Sequence, residues 1–226
     1  SLPVYLLAGI TQAADALFHS NLATYAGQLY TGRMLSALFD TGTTVLIFLI
    51  AKRLWKNETV ARWASLVYAT AVFPIQNSHF FVVDPLLTFC FVALLHQLLI
   101  YLSEHTQSWE RVMRIALICA AAITIKFTGV LFVPIAAAVV IYKHKKNVWL
   151  AWQPLMLLGA TTLALSMVFM PYAFIHLPQF ISDITLQLRM NSNAYIFPYT
   201  LQYVGSMPYW YPLKQMVLWG LGPLYA

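Results

Sequence analysis

Charge is what this chain has least of. Only 9% of its 226 residues are Asp, Glu, Lys or Arg, against 61% hydrophobic, whereas soluble globular chains carry about 25% charge and about 45–50% apolar residues. With 13 Lys+Arg and 7 Asp+Glu it cannot keep a water-facing surface solvated. That excludes a soluble enzyme, a nucleic-acid module and a disordered regulator; the solvent is lipid. Cysteine is nearly absent too. Cys90 and Cys119 both lie inside apolar runs, so neither a disulfide framework nor a redox compartment is read from them. No initiating methionine and no cleavable signal peptide is visible, and the sequence stops soon after a new apolar run has begun. It therefore reads as an internal piece of a larger protein. No repeat of fixed period and no low-complexity tract stands out.

A bilayer core of about 30 Å takes about 20 apolar residues as helix. On that measure transmembrane helices are expected over 34–51, 60–75, 84–102 and 149–170, and 215–226 reads as the start of a further one. The stretch 112–142 is too long for one. As a single helix it would run ~46 Å at 1.5 Å per residue. It would also set Lys126 mid-membrane, where a charge costs roughly 2.5–3.5 kcal/mol on insertion scales. Two shorter helices, 112–125 and 127–142, put Lys126 at a turn instead, which survives at membrane depth only against protein or a wet cavity.

The net charge of +6 matters less than where the positive charges fall. On this threading Lys52, Arg53, Lys56, Arg62, Arg111, Arg114, Lys143, Lys145 and Lys146 share one side. Arg33, Lys126, Arg189 and Lys214 share the other. The richer side is expected to be cytoplasmic. The single-helix threading sorts the charges almost as well, so length and the cost of a central lysine decide between them. Asn57-Glu58-Thr59 matches a glycosylation acceptor pattern, but on the cytoplasmic side it reads as chance.

The outer segments are unlike plain connectors. Residues 1–32 read as the remnant of a first outer loop. Residues 171–214 form a long outer loop, far above ordinary loop length. Within it, 178–190 has helical spacing, with Phe180, Ile181, Ile184 and Leu188 on one face, and is expected to lie on the membrane surface. Tyr195, Phe197, Tyr199, Tyr203, Tyr209, Trp210 and Tyr211 follow, rings suited to headgroup level.

Polar residues with chemistry gather at the outer ends of the spans. His79 and Asp84 sit where 84–102 begins, Lys126 at the turn, and His176, Arg189 and Lys214 in the long outer loop. Lys and Arg neutralise phosphate. A carboxylate can orient a hydroxyl, accept its proton or hold a divalent cation. Each has a plainer role open to it. Asp84 followed by Pro85 suits a helix N-cap, Lys126 can snorkel, and Arg189 can anchor a surface helix to lipid. His19, His79 and His176 have no spacing that resembles a metal site.

The string Asn77-Ser78-His79-Phe80-Phe81-Val82-Val83-Asp84-Pro85-Leu86-Leu87-Thr88-Phe89 resembles the second outer loop of the polyprenyl-phosphate-sugar-dependent glycosyltransferases of the protein O-mannosyltransferase type (glycosyltransferase family 39). Further strings agree in order and spacing: Pro3-Val4-Tyr5-Leu6-Leu7, Gly32-Arg33-Met34-Leu35-Ser36-Ala37-Leu38, Thr124-Ile125-Lys126-Phe127-Thr128, and Pro198-Tyr199-Thr200-Leu201-Gln202-Tyr203 followed by Pro208-Tyr209-Trp210-Tyr211. The closing Leu218-Trp219-Gly220-Leu221-Gly222-Pro223 fits as well. The resemblance spans nearly the whole chain. It implies an all-α, polytopic integral-membrane GT-C fold that moves a sugar, a mannosyl or other hexosyl unit, from a polyprenyl-phosphate donor to a protein, lipid or glycan acceptor.

By the same resemblance the family's main catalytic acid lies upstream of Pro3, outside this chain, so the piece alone is expected to be inactive. Asp84 matches the second acidic residue near the site. Lys126 lies by the donor phosphate, and Tyr203 belongs to the loop that closes over it. Arg189 is a phosphate-binding candidate on position and chemistry alone, and His79 is a lesser candidate beside Asp84. No cofactor is implied beyond a divalent cation that Asp84 could share, and membrane lipids, not nucleic acid, are the remaining partners. The expected setting is the plasma (inner) membrane, with the active site on the extracytoplasmic face. Two other classes fit more loosely. A secondary transporter also uses broken helices and buried charge, but with inverted repeats, which are not seen here. A non-catalytic lipid-binding subunit would tolerate the missing acid.

Overall fold

The computed structural model describes residues 2–221. Among them there is no strand, and the chain is an all-α polytopic membrane protein. Its helices fall into two compact units, one up to Phe169 and one from Met170 onwards.

In the first unit, α1 (Leu2–Phe18) leads through a short loop to α2 (Tyr25–Trp55), and α3 (Glu58–Thr70) with α4 (Val72–Ser78) returns. α5 (Val83–Ser103), α6 (Trp109–Ile125), α7 (Phe132–Lys143) and α8 (Trp152–Phe169) complete it. Helix α2 packs on α3 and α5, α5 on α6, and α6 on α8, while α7 touches α5, α6 and α8. Three helical segments are long and apolar enough to cross a membrane by length and composition: Tyr25–Trp55, Val83–Ser103 and Val148–Phe169.

Several boundaries differ from those expected of the sequence. Helix α2 starts before residue 34, because Arg33 is exposed and does not interrupt it. Its start is fixed instead by Thr24, whose hydroxyl accepts from Gly27 N. Ahead of it, α1 takes up residues 2–18 of the stretch expected as the remnant of a first outer loop. The bend after α1 is held by Asp15, whose carboxylate accepts from Ser20 Oγ at 2.7 Å and from Ala23 N at 2.8 Å. The stretch 60–75 is two helices. Pro74 has no N–H and its ring would meet the carbonyl of Thr70, so α3 stops at Thr70. The chain opens at Ala71 (φ −68°, ψ 137°) and α4 restarts with Pro74 in its first turn.

The small residues of α6 explain the tight centre. Val112, Ile115, Ala116, Cys119, Ala120 and Ala122 are all 0% exposed, and short side chains let neighbouring backbones approach closely where lipid gives no hydrophobic drive. Between α2 and α5 glycine does the same. A Cβ on Gly32 would come within 2.7 Å of Phe81, and one on Gly42 within 2.8 Å of Phe89. Phe39 meets Phe89 edge-on, ring centres 5.2 Å apart.

The ends of this unit differ in charge. At one end, Lys143 Nζ donates to Tyr101 O at 2.7 Å and lies 3.8 Å from the centre of that ring. Arg111 donates to Glu104 Oε1 at 3.0 Å and to Gln97 Oε1 at 2.7 Å. Arg53 reaches Ser103 Oγ. In the turn between α2 and α3, Lys52 donates to Glu58 at 2.6 Å and Arg62 to the same carboxylate at 3.2 Å. The hydrogen bond from Lys52, then the charges of Lys52 and Arg62, hold the Glu58 carboxyl below its ordinary range.

At the opposite end α6 stops at Ile125. Lys126 is extended (φ −150°, ψ 134°), and a 3₁₀ turn, Phe127–Leu131, leads into α7. Buried Gly129 closes that turn, its N donating to Lys126 O at 2.8 Å.

The second unit holds α9 (Pro171–Ile175), α10 (Leu177–Ser192), a 3₁₀ turn Pro198–Tyr203, α11 (Trp210–Gln215) and a π-helical turn Met216–Leu221. The stretch expected as one outer loop with a helix over 178–190 is thus mostly short helices. α10 starts at Leu177 with Pro178 in its first turn, where a missing N–H costs nothing. Of the further helix expected over 215–226, residues 222–226 lie outside the described residues.

A Cβ at position 129 would collide with the carbonyl of Ala122. Gly129→Ala is therefore expected to cost about 1–3 kcal/mol by overpacking, read as a lower thermal unfolding temperature in detergent. An unchanged temperature would show that the turn has slack.

Candidate functional site

The break in the helix sets the site. A lysine within an uninterrupted membrane helix would be buried in hydrocarbon. Ending α6 at Ile125 instead swings Lys126 out to the end of the bundle, while its own N–H still donates to Ala122 O at 3.0 Å. Across from it, Val82 is extended (φ −120°, ψ 159°) and α5 begins at Val83, so Asp84 is the second residue of the helix. Asp84 is not the N-cap that the Asp-Pro pair suggests. Val82 holds the cap position without a side-chain hydrogen bond, and the Asp84 carboxylate turns to Lys126. Lys126 Nζ donates to Asp84 Oδ1 at 2.9 Å, with the two side chains 45% and 46% exposed. Because α5 and α6 are packed together, the pair is held by two rigid elements.

Asp84 also lines a cavity of about 210 Å³ between α2, α3–α4 and α5. Asp40, Tyr68, Asn77 and Thr88 supply the rest of its polar lining, and Phe73 an aromatic ring. Tyr68 Oη donates to Asp40 Oδ1 at 2.7 Å, and both residues are half-buried. Neither residue stands out among the candidates that motif and spacing single out. The signal was there: a carboxylate inside a membrane helix is costly and by default functional. Its partner, 28 residues away, had no local signature.

His79 is exposed at the end of α4, its Nδ1 2.6 Å from Ile75 O, so that ring nitrogen is spent on the helix terminus. Arg189 and Tyr203 belong to the second unit. There Arg189 is exposed in the last turn of α10. Tyr203 meets Tyr211 edge-on, ring centres 6.0 Å apart, and with Ser206, Met207 and Gln215 it lines a cavity of about 590 Å³. Among the described residues no three His, Cys, Asp or Glu side chains converge as a metal-binding group.

A helical bundle with membrane-length apolar segments, carrying a lysine–carboxylate pair at one end and a second carboxylate in the adjoining cavity, defines an integral-membrane protein with a polar site cut into it. Over residues 10–187 the chain matches the model of the dolichyl-phosphate-mannose-protein mannosyltransferases, and it belongs to that family. It is thus a membrane mannosyltransferase by family. No curated protein and no solved structure matches it.

A half-exposed ion pair contributes only about 0–1 kcal/mol, so Lys126 and Asp84 are not where stability resides. Asp84→Ala is expected to leave the detergent unfolding midpoint within the shift that about 1 kcal/mol produces. A loss several times larger would mean that the pair holds the helices together.

Proposed function

We propose that the protein transfers mannose from a polyprenyl-phosphate donor to a hydroxyl of a protein acceptor on the extracytoplasmic side, with Lys126 and Asp84 at the reacting end. The observation that carries this reading is the 2.9 Å Lys126–Asp84 pair at the helix break, opposite the basic end of the same unit. The crowding of Arg53, Arg111 and Lys143 at that basic end suits a cytoplasmic placement, which turns the pair outward. The family supplies the donor class.

The acceptor hydroxyl oxygen attacks the anomeric carbon, the bond from that carbon to the phosphate oxygen breaks, the hydroxyl proton passes to a carboxylate, for which Asp84 is placed, and the polyprenyl phosphate leaves with an added negative charge. Lys126, already at the rim of the bundle, meets that charge; a preorganised cation is worth most where charge develops. Donor phosphate competes with Asp84 for the ammonium. Once Lys126 turns to the phosphate, Asp84 has acceptor capacity for a hydroxyl, which it orients towards the sugar. The lysine need move little, since one ammonium has three donors.

The test is Lys126→Ala in the intact protein, assayed for mannose transfer from polyprenyl-phosphate mannose to a Ser/Thr peptide. Transfer is expected to fall by on the order of 10²–10³, the loss seen when one charge-stabilising donor is removed, with membrane insertion unchanged. Undiminished transfer would remove Lys126 from the reaction.

A further inference from the structure

We infer that the cavity behind Asp84 seats the hexose ring of the donor, with Asp40 as the acceptor for its hydroxyls and Tyr68 as the group that holds Asp40 in place. This rests on the proposed function, because it takes the donor phosphate to lie at Lys126. Asp84 belongs to both features: it is paired with Lys126 at 2.9 Å and it lines the cavity. A phosphate held by that lysine therefore presents its ester-linked sugar at the cavity mouth.

Size and lining both suit a single sugar. At about 210 Å³ the space falls below the ~300–1,000 Å³ of sites for drug-sized ligands. A space of that size suits a single ring better than an extended chain. A hexose offers hydroxyls round its edge and C–H groups on its faces. The cavity answers with Asp40, Tyr68, Asn77, Asp84 and Thr88 for the edge and Phe73 for a face.

A carboxylate carries about four acceptor sites on its two oxygens. The Tyr68 hydroxyl takes one, on Oδ1, and capacity remains for sugar hydroxyls. The location is costly, since Asp40 lies midway along α2 in one of the membrane-length apolar segments. Tyr68 offsets part of that cost and fixes the side chain, which makes it a positioning residue.

A carboxylate in a membrane segment that hydrogen-bonds a substrate hydroxyl discriminates against an isomer that misplaces it, because the polar group is then left unpaired. Selectivity between mannose and glucose is therefore the readout that a merely structural Asp40 would not move. In the intact protein, kcat and KM are measured for polyprenyl-phosphate mannose and its gluco isomer, with Lys126→Ala run in parallel. Asp40→Asn is expected to narrow the preference for mannose at least tenfold. Thr88→Leu, which fills the space without touching the Asp40–Tyr68 bond, is expected to raise the donor KM at least tenfold.

Wild-type KM and selectivity in both variants, beside an inactive Lys126→Ala, would overturn the sugar seat and leave the phosphate reading standing. A fully active Lys126→Ala would instead bring down the reading beneath it. Should Asp40→Asn and Thr88→Leu not accumulate, Thr88→Cys reads the same seat by alkylation. The native thiols Cys90 and Cys119 are buried, so the new one gives the signal. Saturating donor is expected to slow its modification at least fivefold, and an unchanged rate would overturn the seat.

Discussion

A cation cannot sit halfway along an apolar helix without either water or a partner, and the chain answers this at Lys126 by ending the helix. The rest of the first unit follows from that break. Ile125 closes α6 inside the core while Lys126 leaves it, and the following turn stays tight because Gly129 lies directly on the backbone of Ala122. Helix α6 cannot slide to absorb a change there, since Ala116, Cys119, Ala120 and Ala122 are packed without exposure. The ammonium is thus placed by backbone and packing, not by its ion pair. Stability and chemistry are separated: the core fixes where Lys126 stands, and the weak exposed pair with Asp84 leaves it available.

The same division holds one layer away. Gly32 and Gly42 bring α2 close to Phe81 and to Phe89 of α5, while the break at Ala71 separates α3 from α4. Between the close-packed and the opened helices lies the cavity that Asp40 and Tyr68 share with Asp84. Proline causes this opening as directly as lysine causes the other. In both places an interrupted helix exposes polar backbone, which membrane proteins tolerate only against protein or a wet cavity.

These two interruptions were not equally legible. The break at Lys126 could be read from the sequence because length and charge point to it together. Pro74 is a visible breaker within 60–75, but the restart at Val72 depends on which carbonyl the ring meets, and boundaries shift by a turn on such details. The Asp84-Pro85 pair carried a strong local signal for a cap and misled, because the carboxylate has a better partner 42 residues away. Asp40 and Tyr68 failed for the opposite reason. Neither has a local motif, and only the packing of α2 on α3 joins them. Arg33 marked a helix boundary that does not exist, since an exposed arginine near the end of a long helix costs it nothing. What periodicity and spacing cannot supply is the tertiary partner, and each misreading near the site is a partner supplied by another helix.

The two ends of the unit use charge differently, and this bears on where a phosphate can be handled. At the basic end most of the cations are already spent: Arg111 on Glu104 and Gln97, Lys52 and Arg62 on Glu58, Arg114 on Glu110, Lys143 on two carbonyls and a ring. Moving any of them to a ligand would unpair a carboxylate or uncap a helix end. Lys126 has a single carboxylate partner, and that partner gains a use when the lysine turns away. An exchange in which the released group takes up a hydroxyl costs far less than one that strands it, because an unpaired ionised group is the expensive outcome. On the proposed reading that exchange is what ties phosphate binding to the placement of the attacking oxygen. It also explains why the reactive end needs so few charges in a protein that has so few to give.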